Sequence, residues 1–580
     1  MGKVDATGDG RRATGDGRRA TGDGRRATGD GRRATVLLAA RSTVALHRLL
    51  DALPALSGDD RITRLFTLVP GSDFDADVLS AIDGAGGRTV PWSEACGRSY
   101  DLILVASPKG DLRLLHGRRV LLPHGAGYSK SIPGEGSDSA SGLDPAHLAP
   151  ESDGTAPIVL HAVAHPEQVA RLAAADPRAA DRAKVIGDPT LERVLASRPQ
   201  RERYRAALGT GARKLVVLTS TWGAESLLRR HPDLPARLAA HLPYDAYQLA
   251  LVAHPNEHSR LGACELSARL APALDAGLVL AHPREDWASV LIAADALITD
   301  HGSTALYYCA AEDRPVIGAY QGGTELIPGS PMDTLLRQVP RLGSAEALEE
   351  SLAAYRPGTG RAAAQAAFAH QGGALHRLRS ELYALLGLTP PPVSSPPRPL
   401  PAPRPADRTP TAFDVTAEVA AERVRVERRP AGIGAPGHHL AVEHGPAIEP
   451  LTRSAGLLYR RPVSAAPHQA GVSWTADGWA RQVLSAYPGC RSAAAILPSG
   501  RCVLRTRGHE QPYAVEVEPR REGGRIVRAD PAAAASAVHA WLLTRGAPPA
   551  SPTRLTCLIG ERAFDVLLRA ATPAETAEPV

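Results

Sequence analysis

Three short stretches of the chain place a histidine among glycine, hydroxyl or turn residues where an apolar run ends. In the first, "LLPHGAGYSK" (121–130), the run leads into His124, Gly125, Gly127 and Lys130. A glycine-rich turn after a strand lets backbone N–H groups approach an anion, and an unperturbed imidazole titrates near neutral pH, which suits proton transfer. This pattern predicts an anion-binding turn; the alternative is an ordinary turn with a hydrogen-bonded histidine.

The second stretch, "LALVAHPNEH" (249–258), ends an apolar run in His254, and Pro255 stops the strand there. His258 follows four residues later, but a metal site needs more ligands than this pair, so no metal is predicted. The same dipeptide recurs at His282. Taken alone, the pattern favours a structural histidine at the edge of a sheet.

The third stretch, "ITDHGST" (298–304), ends an apolar run in Asp300, Gly302, Ser303 and Thr304. The residues from Ser303 onward are compatible with a helix, and either hydroxyl is a suitable N-cap. Hydroxyls and exposed N–H groups at a helix start favour phosphate. The stretch therefore predicts a phosphate site, against the alternative of a simple cap without a ligand.

Several common catalytic motifs are absent from the sequence. It contains no GxxxxGK[ST], GxSxG or HExxH, and no GxGxxG follows the first apolar run. A P-loop nucleotidase, a typical serine hydrolase, a zinc protease of that type and an ordinary dinucleotide-dependent dehydrogenase are therefore disfavoured.

Two successive blocks of apolar runs and helical stretches must position these three strand ends. The runs of the first block are "TVLLAA", "RLFTLV", "RTVPW", "DLILVAS", "RVLLP" and "APIVLHA", and those of the second are "RKLVVLTST", "YQLALVAHP", "GLVLAHP", "DALITDHG" and "RPVIGAY". Alternation of buried strands with amphipathic helices predicts parallel sheets covered on both faces. We therefore predict two Rossmann-like lobes with the site in the cleft between them.

The rest of the chain differs in composition. The predicted divisions are a disordered tail of "ATGDGRR" repeats (1–35), a first lobe (36–190), a second lobe (191–387), a proline-rich linker (388–410) and a small α+β domain (411–580). The linker is expected to be extended and semi-rigid. The last domain alternates as antiparallel strands do, and its histidines show no ligand spacing, so its role stays unknown.

Net charge and cysteine usage narrow the class of protein further. The total of +6 includes +4 from the repeats, where eight Arg face four Asp, so the remaining chain carries only +2 and nucleic acid is not predicted as a partner. No apolar run is long enough to span a membrane. The six cysteines form no metal-ligand spacing, which favours a reduced, cytoplasmic compartment. Only Cys490 and Cys502 are close enough for a hairpin disulfide, which we do not favour.

Five segments in order resemble the CDP-glycerol glycerophosphotransferase family, which has a GT-B-like fold. They are "LLPHGAGYSK", "VIGDPTLERVL", "KLVVLTSTWGAESLL", "LVAHPNE" and "ALITDHGSTALYYCAAEDRPVIGAY", spanning about residues 100–340. The last corresponds to the family's "TDYSS…D…RPV" segment. His301 stands where relatives carry tyrosine, and we do not predict it to be catalytic.

The resemblance implies attack by an acceptor hydroxyl on the β-phosphate of a CDP-alcohol, with release of CMP. It implies that His124 is the general base and that His254 contacts the pyrophosphate and assists the leaving group. Substrate-binding positions would be Gly125, Gly127, Lys130, Asp300, Gly302, Ser303 and Thr304, with Asp300 fixing the turn. No cofactor is implied. The expected partner is a nucleotide-activated small-molecule donor, and a membrane-linked acceptor and peripheral association with the inner face of the membrane are left open.

Three functional hypotheses follow. The leading one is a GT-B-like transferase of the glycerophosphotransferase type in cell-envelope polymer synthesis. The second is a UDP-sugar glycosyltransferase or 2-epimerase of the same fold. The third is a catalytically silent protein that binds a nucleotide or a partner. The sequence does not determine the oligomeric state.

Overall fold

The computed structural model describes residues 32–71, 78–123, 125–131, 158–282, 286–462, 472–545, 549 and 552–580. Most of the predicted tail, residues 1–31, lies outside these ranges, and so does His124. The described chain forms two parallel sheets followed by a closed sheet. This mixed α/β architecture confirms the predicted fold class at that coarse level, whereas the domain boundaries stay predictions.

The first sheet has six parallel strands in the order β2-β1-β3-β4-β5-β6. The strands are β1 Ala34–Ala40, β2 Ile62–Leu68, β3 Ser99–Val105, β4 His116–Leu121, β5 Leu160–Val163 and β6 Ala183–Val185. The described helices between them are Thr43–Ala52, Val78–Gly84, Trp92–Cys96, Pro166–Ala175 and Pro177–Ala180, with 3-10 turns at Leu53–Leu56 and Leu112–Leu114. The central strands are buried on both faces, which explains their nearly continuous apolar sequence.

Two details of the first sheet differ from the sequence prediction. β1 begins at Ala34, one residue before the run "TVLLAA" that predicted it. The run "RTVPW" forms no strand, since only Thr89 makes a single bridge, to Phe66. Pro91 has no N–H to donate to a ladder, and a helix begins directly after it at Trp92.

The second sheet has five parallel strands in the order β11-β10-β7-β8-β9. The strands are β7 Lys214–Ser220, β8 Tyr247–Ala253, β9 Val279–Leu280, β10 Ala296–Thr299 and β11 Val316–Gly318. Helices Pro189–Ser197 and Arg201–Ala207, joined by a 3-10 turn at Arg198–Gln200, lead into it. Its other helices are Leu227–Arg230, Leu234–His241, Pro255–Arg269, Ala271–Asp275, Asp286–Ala293, Thr304–Ala311, Pro331–Gln338, Leu348–Ala354 and Thr359–Ala367. The next helix, Ala374–Leu386, packs in the core of the first sheet.

The proline-rich segment 388–411 contains no helix or strand, but it is not a free spacer. Arg193 donates to the carbonyls of Arg398 and Pro399 at 2.9 and 3.2 Å. The Tyr204 hydroxyl donates to the carbonyl of Leu400 at 3.1 Å, and the Leu400 side chain is buried in the core. The extended conformation was predicted; the docking along the helices that precede the second sheet was not, because it depends on side chains some 200 residues away.

The C-terminal part forms a closed sheet of nine strands in the order β12-β13-β21-β22-β18-β17-β16-β15-β14. With the separate pair β19–β20, the strands are Ala412–Ala420, Arg423–Pro430, His439–Glu443, Leu457–Arg460, Ser492–Ile496, Cys502–Thr506, Tyr513–Val517, Arg520–Glu522, Arg525–Val527, Thr553–Ile559 and Arg562–Ala570 for β12 to β22. The helices are Glu449–Ser454, Ala476–Ala486, Pro531–Arg545 and Pro573–Ala577. The alanine-rich helix Pro531–Arg545 packs against β12 and β13 and against β16 to β18, so it fills the interior of the closed sheet.

This closed sheet contacts the second parallel sheet at the amino ends of its strands. The buried guanidinium of Arg428 bonds both carboxylate oxygens of Asp245, just before β8, at 2.7 and 2.8 Å. Its Nη2 also donates to Asp530 at 2.8 Å. The contact therefore lies at the opposite edge from the strand ends that the sequence analysis singled out.

Two further expectations can be compared with the structure. All six cysteines are free, so the disfavoured bridge between Cys490 and Cys502 is absent. Among the described helices, none is both long and apolar enough to cross a lipid bilayer.

Candidate functional site

A cavity of about 320 Å³ lies where the carboxyl ends of the two parallel sheets face each other. Its walls include residues that directly follow β1, β3 and β4 of the first sheet and β7, β8, β9 and β10 of the second. In open parallel sheets, ligands bind outside these carboxyl ends because the strand-to-helix turns present polar groups there. The three stretches selected from the sequence meet at this cavity.

The described lining of the cavity carries more basic than acidic side chains. Its described lining includes five basic side chains, Arg41, Arg48, Lys109, Lys130 and Arg193, whereas Asp51 is the one carboxylate among these lining residues. Asp51 is already bonded by Arg193 and by a hydroxyl. Because low-dielectric walls focus such a field, the cavity favours an anionic ligand.

Asp300 fixes the turn that follows β10. One carboxylate oxygen accepts from the backbone N–H groups of Thr221 and Leu227 at 2.9 and 2.8 Å, and the other accepts from Gly302 at 2.9 Å. The side chain is fully buried and does not line the cavity. A side chain at position 302 would be crowded, since a Cβ would lie 3.0 Å from the Thr221 side chain and 3.1 Å from Asp300 itself.

Ser303 and Thr304 lie at the start of the helix Thr304–Ala311, and both line the cavity. Ser303 occupies the N-cap position, but its hydroxyl makes no capping hydrogen bond. The hydroxyl is therefore available to a ligand at this helix start. The backbone N–H groups of Ala305 and Leu306 already donate to the carbonyls of Gly302 and Ser303 at 3.4 and 3.0 Å. This geometry suits a phosphate, as the sequence pattern predicts.

His254 lies at the end of β8 and lines the same cavity. Its Nδ1 accepts a hydrogen bond from the backbone N–H of Asn256 at 3.1 Å, which caps the helix that begins at Pro255. A neutral imidazole whose Nδ1 is an acceptor carries its proton on Nε2. The cap therefore fixes the tautomer of a neutral His254 ring, with the proton on Nε2.

Lys130 lines the cavity but already has partners. Its ammonium lies 3.0 Å from Glu325 and 4.8 Å from the centre of the Trp222 ring, and it donates to the Trp222 carbonyl. The neighbouring backbone is bonded as well, since Ser131 donates to the Glu325 carbonyl at 2.8 Å. Lys130 thus connects the turn after β4 to the loop after β11, and its charge still contributes to the field in the cavity.

Glu225, His301 and Glu325 offer ligand atoms that all lie within 4.8 Å of one another, a spacing that could hold a metal ion. Their lone pairs are largely used already, because Glu225 accepts from the Tyr320 hydroxyl at 2.5 Å and Glu325 contacts His301 and Lys130 at 3.1 and 3.0 Å. Burial lowers the pKa of His301, so the ring is neutral. The Lys130 ammonium is paired with Glu325 at 3.0 Å and Arg230 lies 4.0 Å from Glu225, and we assign no metal here.

The two glycines of the first stretch both line the cavity. Gly125 and Gly127 have φ of +79° and +63°, a region that side chains rarely adopt, and a Cβ on Gly127 would collide with Gln168. His124, between Pro123 and Gly125, lies outside the described residues, and its role as general base stays a prediction.

The sequence analysis missed several cavity residues. His47, Arg48 and Asp51 line the cavity from one face of the helix Thr43–Ala52, at i, i+1 and i+4. Only the apolar face of this helix was used to predict its packing, although its polar face was equally visible in "VALHRLLDALPAL". Glu225 and Glu325, which lie beside His301 and do not line the cavity, had no such signal, because they come from loops that are brought together only by the fold.

Comparisons with known proteins identify no family. No protein-family model matches the chain, and no curated protein matches it. Structures that resemble part of it include the wall teichoic acid polymerase TagF (12% identity, 61% of this chain and 89% of that chain, TM-score 0.43). Others are Anabaena Alr3699/HepE in complex with UDP and glucose (15%, 61% and 100%, 0.37) and S. aureus MnaA with UDP (11%, 62% and 99%, 0.39). With every one of these TM-scores below 0.5, we rest no argument on the likeness.

Proposed function

We propose that this chain is a transferase with a GT-B-like arrangement of its two parallel sheets, and that it binds a nucleotide-activated donor in the cavity between them. The observation that supports this most is the excess of cationic side chains around a site where a helix start and a glycine turn also converge. These groups match a diphosphate better than a neutral or cationic ligand.

The specific reaction we propose is of the glycerophosphotransferase type. The oxygen of an acceptor hydroxyl attacks the β-phosphorus of a CDP-alcohol, the bond from that phosphorus to the bridging oxygen breaks, and CMP leaves. His124 takes the proton of the acceptor hydroxyl, and Nε2–H of His254 donates to the leaving phosphate. Ser303 and Thr304 bind phosphate oxygens, where positioned donors stabilise the charge that develops. A membrane-linked acceptor and a cytoplasmic location remain part of this proposal.

A second candidate is a protein that binds a nucleotide without turning it over. The observation that favours it is the internal bonding of two predicted substrate ligands, since Asp300 is fully bonded to backbone and Lys130 is paired with Glu325. Both would then stabilise the site instead of contacting the substrate.

A thermal-shift measurement on the full chain tests the binding step. CDP, UDP, CDP-glycerol and UDP-sugars are added at millimolar concentration, and a ligand at one hundred times its Kd should stabilise the fold by about 2.7 kcal/mol. Ser303→Ala should weaken the shift. Ser380→Ala, which removes an exposed hydroxyl far from the cavity, is the matched control. If no nucleotide raises the melting temperature, the transferase and the nucleotide-binding candidates both fail.

A turnover assay separates the two candidates. CMP release from CDP-glycerol, or UDP release from UDP-sugars, is followed with the wild type, His254→Ala and His254→Gln. Transferase activity should fall by about 100-fold or more in His254→Ala, while nucleotide binding changes little. A wild type that binds nucleotide but releases no product with any acceptor tested would favour the silent protein.

A further inference from the structure

Arg48 projects from the first-sheet wall of the cavity, opposite the helix start that carries Ser303. It belongs to the helix Thr43–Ala52, in which Val44, His47, Arg48 and Asp51 all line the cavity. These positions follow i, i+3, i+4 and i+7, so they form one continuous face. This face of the helix carries cationic and titratable side chains towards the cavity. The opposite face of the same helix is apolar and packs against β1.

The acids around Arg48 are bonded to other groups. Asp51 accepts from Arg193 and Thr190 at 2.9 and 2.6 Å, and Asp188 accepts from the Tyr307 hydroxyl at 2.7 Å and from a backbone N–H at 3.0 Å. Burial opposes the charge of Arg48, but Tyr307, whose ring centre lies 5.2 Å from the guanidinium carbon, and then Asp188 and Asp51 raise its pKa. Its Nη1, however, is buried and has no hydrogen-bond partner among the residues that the structure describes.

Arg193 provides an internal comparison, because it lines the same cavity. Its guanidinium donates to Asp51 and to two backbone carbonyls, so its donors are used within the protein. A buried guanidinium with unused donors is costly unless a ligand completes it. Arg48, which lines the cavity, therefore retains one donor without a described partner, whereas the three guanidinium nitrogens of Arg193 all donate within the protein.

Gly125 shows that Arg48 and Ser303 face the same small space. A Cβ placed on Gly125 would lie 3.4 Å from the Ser303 hydroxyl oxygen and 3.8 Å from Arg48 Nη2. These two atoms are consequently at most about 7 Å apart, within the span of one phosphate that accepts a charge-assisted hydrogen bond of about 2.8 Å from each side. The absence of a side chain at 125 leaves room for that group.

We propose that Arg48 and Ser303 bind the same phosphate from opposite walls of the cavity, and that this is the outer phosphate of a nucleoside diphosphate derivative. This inference rests on the proposed function and adds a residue and a ligand position to it. A guanidinium on one side and a helix start on the other surround a tetrahedral phosphate better than they would surround a planar carboxylate ligand. A phosphate bound there bridges the two sheets. During transfer, Arg48 would offset the negative charge that develops on the phosphate oxygens.

The test is a double-mutant cycle on the full chain with inorganic pyrophosphate, CDP, CMP, UDP and UMP as probes, measured by calorimetric titration. Arg48→Gln should weaken pyrophosphate and diphosphate binding about 10- to 100-fold and monophosphate binding much less. Arg48→Lys should bind diphosphate more tightly than Arg48→Gln but less tightly than the wild type, because lysine keeps the positive charge without the planar guanidinium. Arg113→Gln, at an exposed guanidinium, is the control for net charge.

Coupling between the two walls is the decisive readout. Combined with Ser303→Ala, Arg48→Gln should cost clearly less than the product of the two single losses, because both residues contact one group. Strict additivity, or equal diphosphate binding by wild type and Arg48→Gln, overturns the inference. If Arg48→Gln does not fold, Arg48→Lys and Ser303→Ala still decide whether diphosphate binding depends on the planar guanidinium of Arg48 and on the hydroxyl of Ser303.

The outcomes separate this inference from the proposed function. Equal CDP or UDP binding by wild type and Arg48→Gln leaves the proposed function intact and removes the inference. Pyrophosphate binding that depends on Arg48 without any nucleotide binding keeps the phosphate contact but refutes both the nucleotide donor and the assignment of that phosphate to a nucleoside diphosphate. If the wild type binds none of the probes, both are refuted.

Discussion

Replacing Asp300 by asparagine should destabilise the second-sheet region strongly, because this one carboxylate bonds three backbone N–H groups. Two of them contact one oxygen and the third contacts the other. In Asp300→Asn the amide oxygen can keep the two bonds to Thr221 and Leu227, but they lose their charge. The amide NH₂ then faces the N–H of Gly302 and cannot accept from it.

The magnitude follows from these three bonds. Hydrogen bonds to a charged group contribute about 1.5–3 kcal/mol each and neutral ones about 1 kcal/mol. One lost bond and two weakened bonds, offset in part by the easier burial of a neutral amide, give a loss of about 3 kcal/mol. For a unit of 150–250 residues this lowers the melting temperature by roughly 6–12 °C.

Differential scanning calorimetry of the full chain measures this shift. Asp275→Asn is the control, since it removes a carboxylate that is 64% exposed and paired with Arg408, a contact expected to contribute at most about 1 kcal/mol. A melting temperature for Asp300→Asn within 2 °C of this control, on the scale given above, would refute the view that the carboxylate holds the turn. Nucleotide binding should weaken in parallel, because the same turn positions Ser303.

Three further predictions concern other parts of the molecule. Burial lowers the pKa of His439 to about 4 and that of His539 to about 3, so both rings are neutral in the folded state at neutral pH. The unfolded chain binds these protons below about pH 6.5. The free energy of unfolding of the closed sheet should therefore be highest above pH 6.5 and fall by about 1.4 kcal/mol per pH unit for each ring as the pH drops towards 4. Urea unfolding between pH 4.5 and 7.5 measures this slope, and His539→Asn should reduce it. Arg428→Leu leaves two carboxylates without their buried partner and should cost about 3–5 kcal/mol, measured by calorimetry; a loss below 1 kcal/mol would contradict the assigned pairing. Gly127→Ala should lower stability by about 1–2 kcal/mol through its positive φ alone, and by more once Gln168 is displaced, whereas Gly84→Ala, with open space around it, serves as the control in the same melting experiment.

Local patterns in the sequence were sufficient for most of the two parallel sheets. Apolar runs bounded by polar turns predicted ten of the eleven parallel strands, all but the short β6, because such runs are what strands buried on both faces require. The strand predicted at "RTVPW" was wrong, because its proline cannot donate a backbone hydrogen bond to a neighbouring strand and only one bridge forms there. In the C-terminal part, alternation predicted strands, but closure around the helix Pro531–Arg545 depends on pairings between segments more than 100 residues apart.

The candidate site shows the same division. His254, Gly302, Ser303 and Thr304 could be selected from the sequence, because the residue that follows a parallel strand necessarily lies at the carboxyl edge of the sheet. Arg48 could have been selected from the polar face of its helix. Glu325 could not, since its importance comes entirely from its contact with Lys130.

The order and types of the residues thus determined which elements form and which polar groups stand at their ends, because hydrophobic periodicity, proline and glycine act over a few positions. Only the tertiary structure decided how each of those groups is used. It bonded the Asp300 carboxylate to backbone N–H groups, paired Lys130 with Glu325, and placed Arg48 and Ser303 in the lining of one cavity. Burial and the supply of partners are set by segments far apart in the chain, and a local pattern contains no information about them.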